Sequence, residues 1–289
     1  MKKILIICTI FVSFWSRAQG NLQAYTPSIL FSKGAWEFKS FQNLYSQKKS
    51  FDADGGFGKT SAAPESQIFF TSINQFLYGI NSQINVGVDI WVKSTSLPVV
   101  ADRINQTGIS LIGPKIKIAP FKAIKRLSIQ SSYLMPTIKD QENRDSGAEN
   151  PFFFFSHDRS IWLTQFYYDY PINDKWQLFF QQAFWYSVVR NSFRNNNYLE
   201  TQSSVFVSYF PTTRWTVYGM VEYFPTHYND AQQISEIFYS YFLQTGFGLK
   251  FQAIPNKLEL EMLYTNFAAG SAGGGAGQTF NLGIRIIRQ

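Results

Sequence analysis

Several things that proteins use for chemistry are scarce in this 289-residue chain. It has one cysteine, Cys8, and two histidines, His157 and His227. A single cysteine excludes disulfides and Cys-ligated metal. No His, Asp or Glu cluster has metal-ligand spacing, and "GGFGKT" (Gly55–Thr60) lacks the spacing of a phosphate-binding loop. A lone His157 beside Ser156 and Ser160 assembles no nucleophilic triad, so the residues point away from an enzyme and imply no cofactor. Charged residues are only 16% of the chain, and no run after the first twenty residues approaches the length of a membrane-spanning helix.

The opening "MKKILIICTIFVSFWSRAQG" is a class apart. Lys2 and Lys3 precede an apolar run from Ile4 to Trp15, with small residues at Ser16 and Ala18. That is the layout of a secretory leader cut after Ala18, and it contains the only cysteine. The domain reading is a signal peptide at 1–18, a periplasmic N-terminal segment at 19–34 and a β domain at 35–289. Without Lys2, Lys3 and Arg17 the formal charge falls from +7 to +4, a modest excess spread along the chain and no sign of nucleic-acid binding.

Aromatics, by contrast, are abundant: 29 Phe and 16 Tyr in a chain that is 18% aromatic. They fall in alternating stretches. In "QINVGVDIWVK" (Gln83–Lys93), Ile84, Val86, Val88, Ile90 and Val92 form one row. Asn85, Asp89 and Lys93 stand in the other, with Trp91. Successive strand residues face opposite sides, so one side is hydrocarbon and the other wet. Twelve such runs are legible: 35–46, 67–80, 83–94, 104–118, 126–137, 160–170, 176–190, 198–210, 215–224, 237–251, 258–267 and 278–288. In 160–170 both faces carry aromatics, and Pro114 inside 104–118 predicts a bulge or a shifted boundary.

Connections alternate in length. "NS", "APFKAIK", "PINDK", "PTTR" and "QAIPNK" are short, and four contain proline. Between them come longer tracts such as "QKKSFDADGGFGKTSAAPES" and "IKDQENRDSGAENPFFFFSHDRS". The Gly-rich "AAGSAGGGAG" near the end predicts a flexible hairpin loop. An even strand count, short turns on one rim and long loops on the other describe an all-β, closed, antiparallel transmembrane barrel of about twelve strands. Both termini are expected in the periplasm, and the membrane is the outer membrane of a Gram-negative bacterium. The competing reading, a secreted β-sandwich, gives no reason for such uneven loops. Trp36, Trp176 and Trp215 at the short-turn rim, and Trp91, Trp162 and Trp185 toward the other, predict two interfacial girdles.

The lumen faces carry Glu37, Lys39, Asp89, Lys93, Lys115, Lys117, Glu222, Lys250, Glu259, Glu261 and Arg285, nearly balanced in sign. Lys250 is expected beside Glu259 across a short turn, and Glu261 near Arg285. Closure would bring Glu37 and Lys39 alongside the last strand. That ionic wall either stiffens the interior or narrows a solute path. Phe179, Trp185, Tyr218 and Phe242 also project inward, so the pore is expected to be narrow.

"GISLIGPKIKIAPFKAIKRLSIQSSYLMPT" (Gly108–Thr137) resembles a hairpin of the outer-membrane channel family named for the meta-pathway of phenol degradation. "AGQTFNLGIRI" (Ala276–Ile286) resembles the closing strand of such barrels. With "AQ" at the leader junction the style is Bacteroidetes-like. Arg288–Gln289 departs from the usual terminal aromatic. The resemblance implies a channel for small solutes, apolar or aromatic ones among them, and assigns no contact residue. The expectation is a narrow, weakly selective passive channel, with outer-membrane lipid and a small solute as its partners. The alternative is a non-transporting barrel serving structure, adhesion or a secretion assembly through its long loops, "ENPFFFFSHD" being the adhesive patch. An outer-membrane lipid hydrolase comes third.

Overall fold

The structure, a computed structural model, describes residues 27–52, 56–58, 60–99, 102–121, 123–124, 126–137, 159–189, 197–228, 240–272 and 274–289. The leader, His157 and the "PFFFF" tract lie outside these residues. The strands are β1 (Trp36–Phe51), β2 (Gly56–Phe57), β3 (Thr60–Asn81), β4 (Ile84–Val99), β5 (Asp102–Ile118), β6 (Leu127–Pro136), β7 (Arg159–Pro171), β8 (Trp176–Val189), β9 (Tyr198–Tyr209), β10 (Trp215–Tyr228), β11 (Ser240–Ile254), β12 (Leu258–Gly270) and β13 (Gly275–Arg288). Twelve of them pair antiparallel with their sequence neighbours, and β1 closes the ring on β13. The two-residue β2 pairs only with Ala269 and Gly270 of β12. Closure gives each of the twelve barrel strands a neighbour on both sides, which removes the sheet edges that hydrocarbon cannot solvate.

The side-chain period of two sets the faces. Ile84, Val86, Ile112, Ile116, Val205, Val207, Leu249, Phe280, Leu282, Ile284 and Ile286 are all exposed on the outside. Asn85, Asp89, Lys115, Lys117, Glu222, Glu259 and Arg285 are buried on the inside. So large an exposed apolar surface is stable only against acyl chains. In β7 the aromatics do divide between faces, with Trp162, Phe166 and Tyr170 outward and Tyr167 inward.

Turn chemistry differs from the proline-centred expectation. Asn81 Oδ1 accepts the amides of Gln83 (2.8 Å) and Ile84 (2.9 Å). Asn173 Oδ1 does the same for Lys175 and Trp176, and Thr212 Oγ1 for Arg214 and Trp215. Each side chain stands in for a backbone acceptor and fixes the turn two and three residues on. At the other rim, β3, β4 and β5 run beyond the predicted boundaries, so the tract after Ser94 is strand rather than loop.

Pro114 stays inside β5, opposite Val88, and points outward. The bulge lies instead between Trp91 and Val92, where the register slips past Ser110. On the β6 side the pairing passes from Ile112↔Met135 to Lys115↔Ser132, so the ladder is interrupted at Gly113 and Pro114, where the proline offers no N–H. The glycine tract is corrected too: Gly275 and Gly277 belong to β13. A Cβ at either would meet Tyr45 at 2.4 Å, so these glycines let a ring lie flat on the wall.

Before β1 the chain does not stand apart from the barrel. Phe31 donates its amide to Asn85 Oδ1 (2.8 Å) and accepts from Asn85 Nδ2 (2.9 Å). Lys117 Nζ donates to the carbonyls of Pro27 (2.5 Å) and Ile29 (2.7 Å), and the Ser28 hydroxyl donates to Asp169. Phe31 and Ala35 are buried with Ile287. Residues 27–35 therefore pack onto inward-facing side chains at the short-turn end.

Candidate functional site: the barrel lumen

The lumen is filled unevenly. Along β4–β8, Trp91, Leu111, Leu134, Ile161, Leu163 and Ala183 form a buried apolar cluster, with Ile73 and Trp185 against it. Open space is left among the described residues in two cavities, one lined by β9–β13 and β1, the other by β1, β3 and β7–β12. The larger, about 570 Å³, lies toward the long loops; the smaller, about 240 Å³, lies toward the short turns. Phe41, Phe206 and Leu263 line both, so these three side chains form the collar where the chambers meet.

Two arcs of rings run round the wall. Tyr167, Phe179, Phe206 and Tyr218 follow one another at 5.9, 5.3 and 6.0 Å between centroids, on β7 to β10. Nearer the loops, Trp91, Trp185, Phe224, Phe242, Phe267 and Tyr45 make a second series, with centroids 4.8 to 6.4 Å apart. Offset and tilted rings at such spacings attract, and their faces present a polarisable lining to a solute.

Charges stand in separate groups. Asp89 pairs with Lys115, and both side chains are at most 1% exposed; Ser132 Oγ adds a hydrogen bond to Asp89 at 2.8 Å. These two are embedded in the filled half and serve packing. Lys117 holds the N-terminal segment, as above, and sits 5.7 Å from the Tyr167 ring. Lys93 lies 5.9 Å from the Trp91 ring.

The ionic wall exists with its partners exchanged. Lys250 pairs with Glu261 (3.6 Å), and Arg285 pairs with Glu37 and, at 4.0 Å, with Glu259. Register explains the exchange. A slip between Gln252 and Ile254 sets Glu259 opposite Gln252 and Glu261 opposite Lys250, and the unbroken β12–β13 register sets Glu259 opposite Arg285 and Glu261 opposite Gly283. Lys39 stands opposite Arg285, as closure requires, and lies 5.7 Å from the Phe41 ring. Glu222, in the larger chamber, accepts from Ser204 Oγ (2.8 Å) and from the amides of Gln202 and Gln244.

The tryptophans divide. Trp162 (56% exposed), Trp176 and Trp215 face outward, and Trp36 packs on the exposed Phe76. Trp91 (6% exposed) and Trp185 turn inward, against the predicted girdle. Parity decides it, since Trp91 shares its face with Asp89 and Lys93. Only Trp162 of the three predicted for the loop side remains on the exterior.

Asn85 reads from the sequence as lumen-facing, whereas Asp169 and the collar are not among the sequence candidates. Asp169 shares its face with Gln165 and Tyr167, so the period of two was a usable signal. The fit of residues 27–35 into the lumen leaves no trace in periodicity. His227 lies in β10, not in a loop, with Nε2 3.4 Å from Thr201 Oγ1. Among the described residues no group of three His, Cys, Asp or Glu could hold a metal.

Solved structures share this architecture. An outer membrane channel from Pseudomonas putida F1 superposes with a TM-score of 0.67 over 92% of this chain and 100% of its own, at 9% identity. The beta domain of the Bordetella autotransporter BrkA gives a TM-score of 0.56 over 88% of this chain and 99% of its own, also at 9% identity. The likeness is one of fold. No protein-family model matches the chain, and no curated protein matches it in sequence.

Proposed function

We propose that this chain is an outer-membrane barrel of a Gram-negative bacterium that forms a narrow channel for passive, weakly selective passage of small solutes. One observation carries this reading: two chambers in a closed barrel meet at a three-residue apolar collar. A barrel serving only as an anchor has no need for aligned cavities, and its interior packs as β4–β8 do here. The apolar collar and aromatic arcs favour ring-bearing or apolar solutes over hydrated ions, because an apolar constriction dewets. Balanced charge on the walls opposes strong preference for either ion sign. The short-turn end is the periplasmic one in this reading. The resemblance of Gly108–Thr137 and Ala276–Ile286 to the phenol meta-pathway channel family, and a Bacteroidetes-like origin, belong to the same proposal.

Planar-bilayer recording on the purified barrel tests it. A small, steady conductance is expected, with weak ion selectivity, and Phe206→Ala should raise it severalfold by opening the collar. Silence of both proteins would overturn the channel reading in favour of a barrel acting through its loops.

A further inference from the structure

We infer that the chamber at the short-turn end is a binding station for a small single-ring anion, an aromatic carboxylate being the simplest member. The inference deepens the channel reading and rests on it for its physiological meaning. Size comes first. Pockets for drug-sized ligands run from about 300 Å³ upward, so a chamber of about 240 Å³ holds one ring and a short substituent. Its wall supplies the ring's partners, since Phe179, Phe206 and Tyr218 line it in sequence.

Charge selects the substituent. Four charged side chains of opposite signs line the chamber, and three are already engaged. Glu261 is held by Lys250 (3.6 Å) and by the Tyr218 hydroxyl, which donates to it at 2.5 Å. That engages Lys250 as well, and its ammonium also lies 5.5 Å from the Tyr218 ring. Asp169 accepts from Gln177 Nε2 (2.6 Å) and from the Ser28 hydroxyl. The fourth, Lys39, forms no hydrogen bond or ion pair among the described residues; its ammonium lies over the face of Phe41, a collar residue, and the Glu261 and Glu37 carboxylates act on it only from beyond ion-pair distance.

An ammonium withdrawn from bulk water and given a π face but no hydrogen-bond acceptor is under-satisfied, and a solute carboxylate supplies the missing charge-assisted hydrogen bond. A solute amine would find both carboxylates taken and Lys39 repelling it. A neutral ring would gain stacking alone. Lys39 thus sets the sign of the solute that dwells below the collar, and the ring arc sets its shape.

Isothermal titration of the barrel in detergent micelles, corrected for protein-free micelles, tests this with sodium phenylacetate, benzyl alcohol and benzylamine. Phenylacetate should bind at least tenfold more tightly than benzyl alcohol, and benzylamine more weakly than either. Lys39→Gln should reduce phenylacetate to the level of benzyl alcohol, whereas Lys39→Arg should retain binding. Lys257→Gln, in the exposed turn before β12, serves as the control and should change nothing. Equal affinity for the three probes, a preference for benzylamine, or undiminished phenylacetate binding by Lys39→Gln would overturn the inference. Should Lys39→Gln fail to fold, the three-probe ranking and Lys39→Arg still decide. Conductance without phenylacetate binding would remove the station and leave the channel; phenylacetate binding by a silent barrel would do the reverse.

Discussion

At the scale of single residues, what distinguishes the lumen is how unequally its charges are satisfied. Arg285 reaches both Glu37 and Glu259, Lys250 has Glu261, and Lys115 has Asp89. Removing one partner of a buried pair leaves the other charge uncompensated, at a cost of about 3–5 kcal/mol. Glu37→Gln removes one carboxylate from Arg285 and leaves it the more distant Glu259, at 4.0 Å. The variant should unfold about 3 kcal/mol more easily in urea titrations in micelles, and an unchanged midpoint would show that lumen water already screens the pair. The identity of these charges was legible, because the period of two turns all eleven candidates toward the lumen side. Their pairing was less so. A one-residue slip between Gln252 and Ile254, at the end of β11, sets Glu261 and not Glu259 opposite Lys250, and local sequence does not encode such slips.

At the scale of elements, strand pairing and ring placement are coupled through glycine. A Cβ on Gly248 would meet the Tyr218 ring at 2.3 Å and its hydroxyl at 2.5 Å. Gly248 therefore lets Tyr218 lie against β11, where its hydroxyl donates to Glu261 and its face lines the chamber. Gly248→Ala should push the ring off the wall, at about 1–3 kcal/mol of overpacking. The expected result is a lower unfolding midpoint together with a smaller pore current, since the displaced ring moves into open space. A lowered midpoint with unaltered current would mean that Tyr218 moves along the wall and not into the chamber. Nothing in the sequence distinguishes Gly248 from Gly219, which has no atom but the Gly246 carbonyl, at 3.9 Å, near its would-be Cβ. The same blindness sent Gly275 and Gly277 into a loop. A glycine under a ring and a glycine in a turn look alike until the neighbouring strand is in place. Turns are half legible: Asn81, Asn173 and Thr212 stand in the short connections, but which side chain accepts the turn amides shows only once the flanking strands are paired.

At the scale of the whole molecule, barrel class and strand faces follow from periodicity alone, because bilayer and lumen impose opposite chemistry on alternate residues. The filling of the interior does not. The apolar cluster on β4–β8 occupies one side, and the segment from Pro27 to Ala35 occupies the short-turn end. That segment is held by a few polar ties, two of them from the Lys117 ammonium to the carbonyls of Pro27 and Ile29. Charge-assisted hydrogen bonds of this kind contribute about 1.5–3 kcal/mol each, so their joint loss competes with the remaining ties through Asn85 and Asp169. Lys117→Met keeps the stem and removes the donor. The segment should then leave the lumen for part of the time, which predicts a larger and noisier single-channel current than the parent's. Limited proteolysis should cut within residues 27–35 of the variant and spare the parent. The barrel itself should keep its stability to within about 1 kcal/mol, because Lys117 carries no ion pair among the described residues and the strand ladder does not depend on it. A current that stays small while proteolysis proceeds would locate the limiting constriction at the collar and not at the short-turn end.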